Sequence, residues 1–173
     1  MTVTKERRRA VFSLGSNLED RLEALQGALD ALLDSPGMTF VGVSPVYETA
    51  PVGGPEQPDF LNAVLVVDTV LPSPTLLERA HGVEAAMQRT RDVRWGPRII
   101  DVDLVAVGAE TSEDPSLMLP HPRAHERAFV LVPWRDVDPD GELPGRGTVT
   151  DLVEGVADQD IRRRDNLPLR PPT

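Results

Sequence analysis

The decamer RIIDVDLVAV, residues 98–107, constrains the fold more than any other stretch. Its β-branched composition and alternation read as a strand. Period two puts Asp101, Asp103, Val105 and Val107 on one face and Ile100, Val102 and Leu104 on the other. A carboxylate buried among such residues is costly unless something pairs with it. The chain must therefore fold so that two acids, two residues apart, either meet partners of opposite charge or face water from a half-exposed sheet. Arg94 and Arg98 stand immediately upstream in RWGPR.

The rest of the chain supplies a frame for that strand. VFSL (11–14) reads as a short buried strand stopped by Gly15. Leu18, Leu22, Leu25, Leu29, Leu32 and Leu33 then recur at helical spacing, with Ser16 or Asn17 as candidate caps and Pro36-Gly37 as the stop. MTFVGVSPVY (38–47) and FLNAVLVVDTV (60–70) read as strands, the second with Phe60, Asn62, Val64 and Val66 on one face. Pro74 suits the first position of a second amphipathic helix, marked by Leu76, Leu77, Ala80, Val83 and Met87. The order is β-α-β-β-α-β, the split βαβ pattern of ferredoxin-like folds. Between the second and third strands, ETAPVGGPEQPD (48–59) is long for a connection and fits a mobile binding loop better than a tolerated surface insertion. LMLPHPRAHERAFVLVPW carries a further polar cluster, and VDPDGELPGRGTVTDLVEG can supply a strand and a short helix.

Several function classes are excluded. With no cysteine, thiol chemistry and a cysteine-rich zinc site are impossible. Lys5 is the only lysine, so neither a Walker A loop nor a protein-kinase strand lysine exists, and no GxGxxG supports a dinucleotide site. A net charge of −10 argues against general nucleic-acid binding. No apolar run reaches the length of a membrane span, and MTVTKERRR lacks a following apolar stretch, so a cytoplasmic protein is expected. Against the acidic balance, Arg89, Arg91, Arg94 and Arg98 lie within ten positions containing one acid, Asp92. That patch fits an anionic ligand, and it equally fits a helix end whose cations suit the dipole.

Residues i and i+2 on a strand lie roughly 6.5–7 Å apart. Two such carboxylates can converge on one cation or straddle two metals about 3.5–4 Å apart. Hard oxygen donors suit Mg²⁺, which takes few carboxylates and completes its shell with waters and substrate phosphates. Neighbouring arginines would hold phosphate oxygens in bidentate fashion. The same D-x-D also fits structural ion pairs with Arg94 and Arg98, and spacing does not separate a nucleotide enzyme from a metal-binding structural domain.

RWGPRIIDVDLV closely resembles the signature of the 6-hydroxymethyl-7,8-dihydropterin pyrophosphokinase family of folate biosynthesis. FSLGSNLEDR, SPVYETAPVG, EQPDFLNAV and LPHPRAHERAFVLVP resemble other family segments in the same order, over about residues 11–140. The resemblance implies that Asp101 and Asp103 bind two Mg²⁺ ions beside the co-substrate ATP. It implies that Arg89, Arg91 and Arg98 engage the ATP phosphates or the loop around them, that Glu84, His121 and Arg127 stand by the nucleotide, and that Arg94 and Trp95 lie on a catalytic loop. Phe60 and Phe129 would sandwich the pterin, Asn62 would hydrogen-bond it beside Asp101, and Thr49 and the backbone near Val52 would read its edge. RTRDVRW lacks a lysine that one branch of the family carries there, leaving Arg94 as the candidate substitute, and Pro122 stands after His121 where an aromatic is found. His81 and His125 carry weak claims.

The expectation is an α+β, ferredoxin-like three-layer sandwich, with a mainly antiparallel sheet flanked by helices. A flexible segment 1–9 precedes one domain, 10–160, and a flexible tail follows over 161–173. The implied reaction moves pyrophosphate from ATP to the pterin's hydroxymethyl group and releases AMP. The chain would act as a monomer on two small molecules. The competing classes are a non-catalytic magnesium or nucleotide sensor and a pterin-binding subunit of a folate assembly.

Overall fold

Burial along Phe60–Thr69, strand β4, sets the architecture. Leu61, Ala63, Leu65 and Val67 join one apolar cluster, whereas Val64 and Val66 join another, so the strand is covered on both faces. The computed structural model describes residues 6–18, 20–51, 57–89 and 99–172. Before β4 come β1 (Arg8–Ser16), α1 (Arg21–Asp34), β2 (Met38–Val43) and β3 (Tyr47–Thr49). After it come α2 (Ser73–Arg89), β5 (Asp101–Val107), β6 (Ser112–Asp114), β7 (Leu117–Leu119), α3 (Ala128–Val137), β8 (Glu142–Leu143), β9 (Gly147–Thr148), α4 (Val149–Glu154) and β10 (Arg162–Arg163). The main sheet runs β10-β3-β4-β1-β5, with β2 also paired to β4, and its pairings are antiparallel.

Helices α1 and α2 supply one layer through Leu25, Leu29, Leu32, Leu76 and Ala80, all fully buried. Helix α3 supplies the opposite layer through Val130, Leu131 and Trp134. Burying each large aliphatic residue stabilises the fold by about 1.5–3 kcal/mol. This is the expected three-layer α+β arrangement.

Four local expectations are corrected. The strand read over 38–47 is two strands, parted where Ser44 N–H donates to the Val64 carbonyl (2.9 Å) and Val64 N–H donates to Ser44 Oγ (2.9 Å). Helix α1 begins at Arg21, with Asp20 at the cap position. Ser16 and Asn17 serve other ends instead: Ser16 Oγ donates to the Ile99 carbonyl (2.6 Å) and Asn17 Nδ2 to Gln57 Oε1 (3.0 Å). In β5, Phe12 pairs with Leu104 but Val11 pairs with Ala106, so Val105 is an extra residue. Beyond that bulge the faces exchange, and Val107 joins the α1/α2 core rather than the aspartate face.

The fourth correction concerns the chain ends. Strand β1 starts at Arg8, inside the segment read as flexible. The tail read as flexible docks along the sheet. Arg162 and Arg163 pair with Glu48 and Tyr47, and Leu167 and Leu169 pack on the α1/α2 core. Gln26 Nε2 donates to the Arg170 carbonyl (3.1 Å), and Arg170 N–H donates back to Gln26 Oε1 (2.8 Å).

Glu48 is the ionic centre of that docking. Its carboxylate accepts from Arg21 Nη1 (2.6 Å), Arg164 Nη1 (2.7 Å) and Arg162 Nη2 (3.3 Å). The Arg21 hydrogen bond is the main cause that holds its pKa below the ordinary 4.5, helped by Arg164 and opposed by burial. A lowered folded-state pKa contributes stability that is present above the unfolded value and is lost as pH falls through the folded one. Glu48→Gln is therefore expected to melt roughly 5–10 °C below wild type at neutral pH. The two melting curves should converge as pH drops below about 4.5. A gap independent of pH in thermal melts would mean that the charge of Glu48 contributes nothing.

Candidate active site

The sheet face toward α3 is apolar at one end and polar at the other. In β1, Val11 lies under α3, whereas Ser13 and Gly15 lie beyond it. Ser13 pairs with Asp103 and Val64, and Gly15 with Asp101 and Asn62. Thr49 pairs with Phe60 and Tyr47 with Asn62 across β3 and β4. Four adjacent strands, β3, β4, β1 and β5, thus present Thr49, Phe60, Asn62, Ser13, Gly15, Asp101 and Asp103 on one patch.

Over that patch opens a cavity of about 700 Å³, bounded on the far side by Arg123, Glu126, Arg127 and Phe129. Its size suits a small heterocyclic ligand. Phe60 and Phe129 come from β4 and from the first turn of α3, so the cavity has aromatic groups from both layers. Asn62 is buried, and its Nδ2 donates to Thr49 Oγ1 (2.8 Å), which orients the amide. A Cβ placed on Gly15 would come within 3.2 Å of Asn62 Oδ1 and 3.7 Å of the Phe60 ring. Glycine here keeps the floor low enough for a flat ligand.

A second cavity, about 290 Å³ and bordered by β7 and α2, lies on the other side of the aspartates. Its walls include Leu77, His81, Glu84, Leu117, Met118 and His121. Asp101 and Asp103 border both this cavity and the larger one. Between them, Val102 N–H donates to Glu84 Oε2 (3.0 Å), so the helix acid holds the backbone that carries both carboxylates.

A basic arc faces the acids. Burial is the main cause that lowers the pKa of His121; Asp103 pulls it up, and Arg127 and Arg123 push it down. Arg123 N–H donates to His121 Nδ1 (3.3 Å), which leaves Nε2 to carry the proton of the neutral ring. The guanidinium carbon of Arg127 lies 5.4 Å from the Phe129 ring centroid, a cation–π contact. Two carboxylates opposed by this arc are suited to a bound polyphosphate with its counter-cation. Among the described residues, no group of three or more His, Asp or Glu side chains could hold a metal ion. The two-carboxylate set fits Mg²⁺, whose remaining ligands would be waters and phosphate oxygens.

Of the residues singled out from sequence, Thr49, Phe60, Asn62, Asp101, Asp103, Arg127 and Phe129 meet at the larger cavity, and Glu84 and His121 at the smaller. Val52, Arg91, Arg94, Trp95 and Arg98 lie outside the described residues, as does the side chain of Arg89, which ends α2. Sequence reading missed Ser13, Gly15 and Arg123, and it set aside His81, which borders the second cavity. Ser13 and Gly15 carried a signal, because they share the β1 face that alternation assigns opposite Asp103 and Asp101. Nothing local marks His81 on its exposed helix face.

Comparison with known proteins agrees with this geometry. A family model described as 7,8-dihydro-6-hydroxymethylpterin-pyrophosphokinase matches residues 11–139. A 2-amino-4-hydroxy-6-hydroxymethyldihydropteridine pyrophosphokinase of Mycobacterium tuberculosis is 42% identical over 175 residues, covering 95% of this chain and 91% of its own. The protein of the same name from Mycobacterium leprae is 44% identical over 172 residues, covering 93% and 88%. Among solved structures, wild-type Plasmodium falciparum HPPK-DHPS with pterin and p-hydroxybenzoate superposes with a TM-score of 0.67 at 17% identity. That match covers 88% of this chain, which spans 44% of the longer one, and it supports the fold alone. Among the described residues no helix is long and apolar enough to cross a membrane.

Proposed function

Because this chain belongs to the 7,8-dihydro-6-hydroxymethylpterin-pyrophosphokinase family, we infer that it transfers pyrophosphate from ATP to 6-hydroxymethyl-7,8-dihydropterin in folate biosynthesis. The observation that carries this reading is the shared border: Asp101 and Asp103 are the wall common to two cavities. A transfer between two substrates needs both to meet at one charged seam, and these carboxylates are that seam.

The larger cavity takes the pterin. Phe60 and Phe129 stack on its faces, Asn62 hydrogen-bonds its edge, and Thr49 holds the Asn62 amide in register. The smaller cavity takes the nucleoside side of ATP, with Glu84 and His121 at its rim. Arg127, and Arg89, Arg91 and Arg98 from the preceding patch, receive phosphate oxygens. The family resemblance assigns Arg94 and Trp95 to the nucleotide side and the backbone near Val52 to the pterin edge. Asp101 and Asp103 would hold Mg²⁺, two ions by family resemblance, which when bound would neutralise phosphate charge and ease ionisation of the attacking hydroxyl. The hydroxymethyl oxygen attacks the β-phosphorus, the bond from that phosphorus to the bridging α–β oxygen breaks, and AMP leaves with the bridging oxygen. The chain's own contribution is orientation and electrostatic stabilisation.

Incubation with ATP, Mg²⁺ and the hydroxymethyl-dihydropterin should release AMP in step with pterin diphosphate. Release of ADP, or no turnover, would overturn the assignment. For the pterin side, Phe60→Ala should weaken pterin binding about tenfold, since stacking adds roughly 0.5–1.5 kcal/mol beyond burial. ATP affinity should change less than about twofold. Calorimetry giving the reverse ranking would move the adenine into the larger cavity.

A further inference from the structure

Residues 159–164 touch the supports of both aromatic walls. At one end, Gln159 Nε2 donates to the Glu126 carbonyl (2.7 Å), and Ala128 N–H donates to Gln159 Oε1 (3.0 Å). These contacts hold the first residue of α3, immediately before Phe129. At the other end, Arg162 and Arg164 reach Glu48, whose strand neighbour is Thr49. Arg162 Nη2 also reaches Asp59 Oδ2 (3.0 Å), and Arg21 Nη1 donates to the Asp59 carbonyl (2.9 Å), immediately before Phe60.

The charges explain why this end grips. Glu48 is 8% exposed and receives three guanidiniums. Charge-assisted contacts to a buried carboxylate are strong and directional. Asp59 is the second acid in the cluster, through Arg162. The far side of the segment is anchored by the reciprocal Gln26–Arg170 pair on α1. Glu48, Asp59, Arg162 and Arg164 all lie behind the cavity wall, whereas Gln159 reaches its rim.

We propose that segment 159–164 is a brace that sets the spacing between the Phe60 and Phe129 walls, with Gln159, Arg162 and Arg164 as positioning residues for the pterin. This rests on the pterin assignment above. A brace joined to both walls fails when either end is released, so its two ends must act as one unit. Contacts that merely stabilise the domain would lower the melting temperature without discriminating between the two substrates.

The test is steady-state kinetics on the full chain for Gln159→Ala, Arg164→Met and the double variant, with Arg164→Lys as the conservative rescue. Each single variant should raise the pterin KM about tenfold and the ATP KM by less than about twofold. The double variant should raise the pterin KM little beyond either single one, because coupled sites are not additive. Arg164→Lys should restore most of the loss. Unchanged pterin KM, equal changes in both KM values, or multiplicative effects in the double variant would each overturn the brace. If Arg164→Met does not fold, Arg162→Met replaces it, since that side chain is 57% exposed. Wild-type activity separates the two readings. A wild-type chain that releases no AMP overturns the functional assignment, and an active one with insensitive variants overturns the brace alone.

Discussion

Asp101→Ala and Asp103→Ala should each reduce turnover by at least about 10³ while shifting the melting temperature by less than about 3 °C. Both side chains are half-buried at the border of two cavities, so truncation removes the proposed cation ligands without opening a core void. The backbone between them is held by Glu84 through Val102 N–H, independently of either carboxylate. Asp103→Asn separates shape from charge. It keeps the volume and removes the anion, and it should be nearly as inactive as the alanine variant. Turnover at saturating Mg²⁺, measured beside a thermal melt, decides the matter. A variant with near-normal rate in high magnesium would sink the assignment of these residues as metal ligands.

The second large effect is expected at Arg127. Arg127→Ala should lower kcat by about 10², the scale seen when a positioned donor is removed from developing phosphate charge. It should also weaken pterin binding several-fold, because the guanidinium lies over Phe129 and such contacts are worth about 0.5–1 kcal/mol at partly exposed sites. Arg127→Lys keeps the charge and loses the planar fork, so it should recover only about tenfold. Lost stability with unchanged kcat would make Arg127 a prop for the ring and nothing more.

Alternation along RIIDVDLV was enough to put Asp101 and Asp103 on one face, and alternation along FLNAVLVV put Phe60 beside Asn62. Both inferences hold because a strand's side-chain direction is a local property of the backbone. The leucine repeat of α1 and the apolar stripe of α2 were legible for the same reason. By contrast, α3 was not assigned as an element: AFVLVPWRDV is rich in β-branched residues and carries Pro133. It is helical because Val130, Leu131 and Trp134 bury themselves on the sheet face that β1, β4 and β5 leave apolar. Tertiary packing overrides propensity in such segments.

By itself, then, the sequence determined which side chains share a face, which segments alternate and which chemistries are impossible. With family resemblance added, Thr49, Phe60, Asn62, Asp101, Asp103, Arg127 and Phe129 were also singled out, and they line one cavity. Only the tertiary structure decided that the two acids stand between two cavities, that Ser16 and Asn17 tie down distant loop ends rather than cap a helix, and that a segment read as a frayed tail docks on the sheet and on α1. The physical reason is separation along the chain. Asn17 meets Gln57, Glu48 meets Arg164 and Gln26 meets Arg170 across 40, 116 and 144 residues. No local window carries those contacts, because the partners come together only when the whole sheet has formed.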